Sequence, residues 1–438
     1  MGDEASLASK EGRVPGEGDA PNAALAPNAV DAPSGVVALS IHPSWVIVLT
    51  GMCAALHVAK IPPALPVLQA ELGLTLLQAG FLLSAVQVAS MTLGLLVGLS
   101  VDGLGLKRSM LFGLGLLFAA SALGGFAQHA DVLLLLRALE GLGFLCVVMP
   151  APALIRRTVD ASQLSGRMGW WGTYMPTGSA LALLLGPWVL GGLNWSAWWW
   201  LLGAVAALAF IAVWLCVPDA QAGADTPTVN QAWPQRLALT LQSPGPWLVA
   251  LTFAVYASQW MAVIGFLPTV YAQLGLSAGM AGVLSACVAL VNVSGNILSG
   301  RLLQRGWPAQ RLLLIGFTCM ALGAVGAYAT WQGEGLSTSW RFASVLVFSA
   351  VGGLIPGTLF SCALRLAPSE GTVSTTVGYM QQWSALGQFA GPPLVGWVAA
   401  RVGGWQWTWT VTVALCMGGA VLARLIGRAL AAKDENHV

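Results

Sequence analysis

Apolar runs of about 20 residues recur along this 438-residue chain from Trp45 to Arg428, and each is long enough for a helix to cross a bilayer. Twelve can be placed, near 44–67, 76–99, 109–127, 131–155, 165–190, 196–217, 246–270, 279–302, 310–331, 341–366, 374–400 and 405–428. Within hydrocarbon every backbone donor and acceptor needs a partner from the chain itself, so only helices and closed barrels span it. The alternating pattern of a barrel strand is absent, which leaves helices. Composition excludes a water-soluble alternative: 8% of residues are charged, against roughly 25% in soluble domains. The 53 glycines suit closely packed membrane helices. The expected fold is an all-α membrane protein with twelve transmembrane helices in two pseudo-symmetric six-helix bundles.

The bundles are expected at 44–217 and 246–428, separated by a cytoplasmic linker at 218–245. A disordered tail at 1–43 is expected before them and a short tail at 429–438 after them. The first tail lacks the basic start and apolar stretch of a signal peptide. Lys and Arg collect on cytoplasmic loops. With both termini inside, all of the 19 basic residues fall on that side except Lys60, Arg137, Arg341 and Arg401. Tryptophans gather at the opposite ends, in "NWSAWWW" (194–200) and "GGWQWTW" (403–409), as an interfacial belt would. The setting is expected to be the inner membrane. The seven cysteines lie in apolar runs with no CxxC, and the four histidines are dispersed, so neither a metal nor another cofactor is expected.

The halves repeat. "LPVLQAELGLTLLQAG" (65–80) aligns without gaps on "LPTVYAQLGLSAGMAG" (267–282), an offset of 202. Further on, "YMPTGSALALLLGPWVLG" (174–191) aligns on "YMQQWSALGQFAGPPLVG" (379–396), an offset of 205. Parallel six-helix repeats about an axis along the membrane normal are a plan of secondary transporters, with substrate held near the midplane between them.

Two motifs sharpen this. The loop after the second span reads "GLSVDGLGLKR", with Gly98, Asp102, Gly105, Lys107 and Arg108. The fourth span reads "LLLLRALEGLGF", with Arg137, Glu140, Gly141 and Gly143. With the repeat, these resemble the major facilitator superfamily over residues 44–428, although Gly103 and Leu106 stand where basic residues are usual. "IPPALPVLQAELGL" is similar to its cyanate and nitroimidazole permease-like branch. The resemblance implies that Asp102 latches a cytoplasmic gate against the eleventh helix, Gly98, Gly105, Lys107 and Arg108 belonging to the same gate. It also implies that the first, fourth, seventh and tenth helices line a central cavity.

Lys60 is the residue this framework must explain. At 1.5 Å per residue it lies about 8 Å short of the outer face, and Arg137 about 9 Å below that face. His57 and Glu140, each three residues away, share their helix faces at similar depth. Ionisable groups in a membrane interior are functional candidates by default. Two cations face one acid, and the second half contributes neutral groups: Gln259 (the mate of His57), Tyr379 (the mate of Tyr174) and Gln382. These eight residues form the candidate substrate site, whose net positive charge favours an anion. Pro62 and Pro63 are expected to break the helix beside it. Two other readings stay open: Lys60 pairs with Glu140 while Arg137 binds backbone carbonyls, or His57 or Glu140 couples transport to a proton.

The expected function is secondary active transport of a small anionic solute by a monomer, with proton co-transport left open. A drug/proton antiporter is the alternative, since "GPWVLGG" (186–192) approaches an antiporter signature with one residue too many. A non-transporting membrane sensor ranks below both. No HExxH, GxSxG or GxxxxGK[ST] motif is present, so no enzyme activity is expected.

Overall fold

The computed structural model describes residues 41–94, 105–219, 233–331 and 334–435. The expected tail up to residue 40, Gly98, Asp102 and most of the expected linker lie outside the described residues.

Helix α1 is Pro43–Leu72, α2 Leu76–Gly94, α3 Leu106–Gly124 and α4 Ala130–Thr158. Helix α5 is the pair Ala161–Gly172 and Tyr174–Gly192, joined at Thr173. Then follow α6 Trp195–Cys216, α7 Pro244–Gln273, α8 Ala278–Gln304, α9 Ala309–Tyr328 and α10 Thr338–Leu366. Helices α11, Val373–Val402, and α12, Thr408–Glu435, complete the twelve. A ten-residue helix, Trp233–Gln242, begins inside the expected linker. A two-residue ladder pairs Thr330–Trp331 with Glu334–Gly335 before α10.

Ten of the twelve are long and apolar enough to cross a membrane on those grounds alone, and α5 and α11 are not among them. The reason is where they sit. Helix α5 packs on α8 and α11 on α2, so each turns one face to the opposite half, and they carry polar residues such as Tyr174, Thr177, Thr376, Gln382 and Gln388.

Local signals set the helix ends. Gln78 N donates to Thr75 Oγ1 at 3.2 Å and Thr75 N to Gln78 Oε1 at 3.0 Å, a capping box that opens α2. Gly73 and Gly403 end α1 and α11 with φ of 63° and 75°, a left-handed geometry that a side chain resists.

The seam between halves consists of α1 on α7, α2 on α11 and α5 on α8. The repeat exchanges the last two pairs, as a two-fold axis along the bundle requires. Small residues make the approach close. A Cβ built on Gly80 would lie 2.7 Å from the carbonyl oxygen of Pro392, and one on Gly282 would lie 2.7 Å from the Pro187 ring. Gly80, Pro392, Gly282 and Pro187 lie toward the ends assigned to the outer face by charge. A buried apolar cluster there joins Leu65, Leu68, Ala79, Leu82 and Leu83 of the first half to Phe266 of the second.

Gly80→Val is therefore expected to lower the thermal unfolding midpoint in detergent by the equivalent of about 1–3 kcal/mol, the usual cost of overpacking. Gly115→Val, where a Cβ meets nothing within 4 Å, serves as the control and is expected to leave the midpoint close to wild type.

Candidate functional site

Pro62 and Pro63 have no N–H, so they cannot donate to the carbonyls four residues earlier, those of Val58 and Ala59. Helix α1 breaks accordingly, ending one segment at Ala59 and starting the next at Ile61. Arg137 of α4 supplies a donor for one of them: its guanidinium gives a 3.2 Å bond to the Val58 carbonyl, and a 2.6 Å bond to the neighbouring carbonyl of His57. Trp198 Nε1 of α6 donates to the carbonyl of Lys60 at 3.0 Å. The break is thus held from two neighbouring helices.

The same guanidinium donates to Glu140 Oε2 at 2.5 Å, one helical turn along α4. Lys60 binds Oε1 of that carboxylate, donates to Ser121 Oγ of α3 at 3.1 Å, and lies 4.7 Å from the centre of the Trp199 ring. Ser121 in turn donates to the Trp199 carbonyl at 2.8 Å. His57 Nε2 donates to the Leu202 carbonyl at 3.2 Å, while its Nδ1 stands 3.8 Å from Glu140 without a bond. All four ionisable side chains are at most 1% exposed. Two fixed cations share one carboxylate, which leaves the cluster with a net positive charge when His57 is neutral.

The structure thus brings His57, Lys60, Arg137 and Glu140 together, enclosed within the first half by α1, α3, α4 and α6. It does not bring the other four expected site residues to them. Gln259 turns into the second half, where its Oε1 accepts from Cys416 Sγ at 3.0 Å. Tyr174 stacks on Trp171 at 4.5 Å, and Tyr379 meets Trp247 edge-on at 5.1 Å. Gln382 reaches across the seam to the Met91 carbonyl at 2.8 Å, and its Oε1 is buried without a partner. A second crossing bond runs from Gln87 Nε2 to Gln388 Oε1 at 3.0 Å. Of the expected gate residues, Gly105 opens α3 with φ 84°, Lys107 pairs with Asp219 at 3.5 Å and Arg108 is exposed.

The tryptophan belt is corrected at α6. Trp195, Trp198 and Trp199 are 5% exposed or less, and only Trp200 of that group reaches the surface. Trp199 lies about 6 Å into a helix that begins at Trp195, close to the depth of about 8 Å expected for Lys60. That nearness of depth, together with Ser121, was the available signal for these partners. Among the described residues, no group of three or more His, Cys, Asp or Glu is placed to hold a metal.

The sequence profile of the Major Facilitator Superfamily matches residues 47–385 and 251–437. The chain belongs to that superfamily. It is therefore a multi-pass secondary transporter of a small-molecule substrate. It is 27% identical over 350 residues to the cyanate transport protein CynX of Escherichia coli (strain K12), covering 77% of this chain and 84% of the relative. It is also 27% identical to a chloramphenicol resistance protein of Pseudomonas aeruginosa, over 73% of each. In fold it matches a bacterial homolog of the human lysosomal transporter Spinster in an inward-facing, unoccupied conformation. That match has a TM-score of 0.74 and 16% identity, over 91% of this chain and 99% of that one.

Removing one member of a buried ion pair costs about 3–5 kcal/mol, because the remaining charge is stranded. Glu140→Gln strands both Lys60 and Arg137, whereas Lys60→Met leaves Glu140 bonded to Arg137. Thermal unfolding in detergent is expected to show the larger loss for Glu140→Gln, and equal losses would count against a shared carboxylate.

Proposed function

We propose that this transporter carries a small organic or inorganic anion across the inner membrane by alternating access, with both termini cytoplasmic. The observation that carries the reading is the charge of the buried cluster: Lys60 and Arg137 against the single carboxylate of Glu140. Away from the helix ends, Glu140 is the one acid among the described membrane-spanning residues. In low dielectric an uncompensated charge acts over a long range, so this half attracts an anion toward the seam. In the described conformation Lys60 is enclosed and paired, so it acts first through its field. Direct contact with substrate requires the anion to displace Glu140. The CynX relative is consistent with an anion, and the gate role of Gly98 and Asp102 belongs to the same reading.

A proton-coupled drug exporter is the second reading, favoured by the chloramphenicol resistance relative and by Glu140, a buried acid beside His57. A panel of small anions and cationic drugs separates the two by melting shift, since ligand raises apparent stability by RT ln(1 + [L]/Kd). An anion-specific shift, weakened in Lys60→Gln, is expected. Shifts by cationic drugs alone, equal in both proteins, would replace the anion reading with the exporter.

Alternation is tested at the seam. A Cβ on Gly396 would contact the Leu76 carbonyl oxygen at 2.5 Å. In a background without native cysteines, Leu76→Cys with Gly396→Cys is expected to lose transport in proteoliposomes on oxidation and regain it on reduction. Full transport by cross-linked protein would show that this seam does not open.

A further inference from the structure

The repeat places Gln273 where the first half has Glu71, an exchange of acid for amide at the outer end of the leading helix of each half. Each side chain accepts a hydrogen bond from a tryptophan. Trp195 Nε1 donates to Glu71 Oε2 at 2.8 Å, and Trp405 Nε1 donates to Gln273 Oε1 at 2.7 Å. In the second half the amide stands beside an arginine and lines an open pocket of about 240 Å³.

That pocket is built entirely from the second half. Arg341, Gln273, Gln406 and Tyr328 give its polar lining, and Val270 and Trp405 its apolar walls. Arg341 Nε is tied to the Leu336 carbonyl at 2.8 Å, which fixes the guanidinium plane. Its two terminal nitrogens make no hydrogen bond and no ion pair among the described residues, and Glu334 on the adjoining ladder is exposed without pairing to it. Because Trp405 holds the oxygen of Gln273, the amide nitrogen is left as a donor. A fixed guanidinium fork with amide donors and no acid in the lining is complementary to a planar or tetrahedral oxyanion.

We propose that this pocket is an oxyanion site on the outer face, which takes a carboxylate or phosphate carried on a small apolar body. Its source is a dissolved solute or a lipid headgroup. The site is distinct from the charged cluster of the first half and does not rest on the anion-carrier reading. It also touches the seam: the Trp405 ring lies 5.0 Å from Phe266, whose side chain is buried against α1 and α2. An occupant therefore contacts a residue that bridges to the closed outer end.

The test uses full-length protein in detergent, with benzoate and inorganic phosphate as probes and melting shift and calorimetry as readouts. Wild type is expected to bind benzoate, with affinity at least about tenfold weaker in Arg341→Gln, as loss of a charge-assisted pair implies. Arg341→Lys is expected to retain part of it, and Lys60→Gln all of it. Gln273→Glu restores the acid of the repeat mate, which the Trp195–Glu71 pair shows the geometry accepts, and is expected to abolish binding. In nanodiscs, benzoate affinity that is equal in zwitterionic and phosphatidylglycerol-containing bilayers identifies a dissolved occupant. Affinity that falls with phosphatidylglycerol, in wild type but not in Arg341→Gln, identifies a headgroup. Either result sustains the site. No binding of either probe at tens of millimolar, or equal binding by wild type, Arg341→Gln and Gln273→Glu, overturns it.

Discussion

Two adjacent prolines in a membrane helix take two donors from its carbonyl ladder, and the charged cluster of the first half is built beside that break. Arg137 binds the carbonyls of His57 and Val58, which ties α4 to α1 at the break. A guanidinium in that position is a buried charge, and Glu140 one turn along α4 balances it. Lys60 then shares the carboxylate and reaches Ser121 and the Trp199 ring, which brings in α3 and α6. Each step follows from the cost of an unpaired polar group in hydrocarbon. The positive charge left over is a consequence of the same chain of satisfaction, and the proposed preference for anions rests on it.

The second half solves the same packing problem without charge. Its leading helix, α7, is continuous over Pro244–Gln273, with Ile264 and Gly265 at the positions of Pro62 and Pro63, so the ladder keeps those donors, and Ala262 stands where the first half has Lys60. The mate of His57 is Gln259, bonded to Cys416 of α12 where His57 bonds to the Leu202 carbonyl of α6. The repeat therefore preserves which helices touch while the chemistry of the contact changes. At the outer ends the asymmetry reverses in kind, with Glu71 in the first half and Gln273 beside Arg341 in the second.

Between the halves the contact is of another sort. Glycines and prolines of α2, α5, α8 and α11 meet at the end remote from both termini, and two glutamine bonds, Gln87–Gln388 and Gln382–Met91, cross the seam deeper in the bundle. Neutral hydrogen bonds and small-residue packing cost less to part than ion pairs. The strong interactions lie inside the first half, and the weaker ones lie across the seam that the proposed alternating access would open.

Much of the architecture was legible along the chain. The run length gave the helices, the internal offset gave the two bundles, and the spacing of His57–Lys60 and Arg137–Glu140 put four ionisable groups at similar depth. Helices α5 and α11 carry the repeat most plainly and fall short of the apolar length of the other ten, and each turns one face to the opposite half. What the chain order could not contain was direction. Whether Lys60 turns toward the centre of the transporter or into its own bundle depends on which helices stand beside α1. Only the packed structure shows Ser121, Trp198 and Trp199 closing around it and sending Tyr174, Tyr379, Gln259 and Gln382 elsewhere. Sequence determined that the membrane would hold a charged cluster at a broken helix, because periodicity and proline chemistry are local. Tertiary structure decided what the cluster binds, because the partners of a buried charge come from helices distant in sequence.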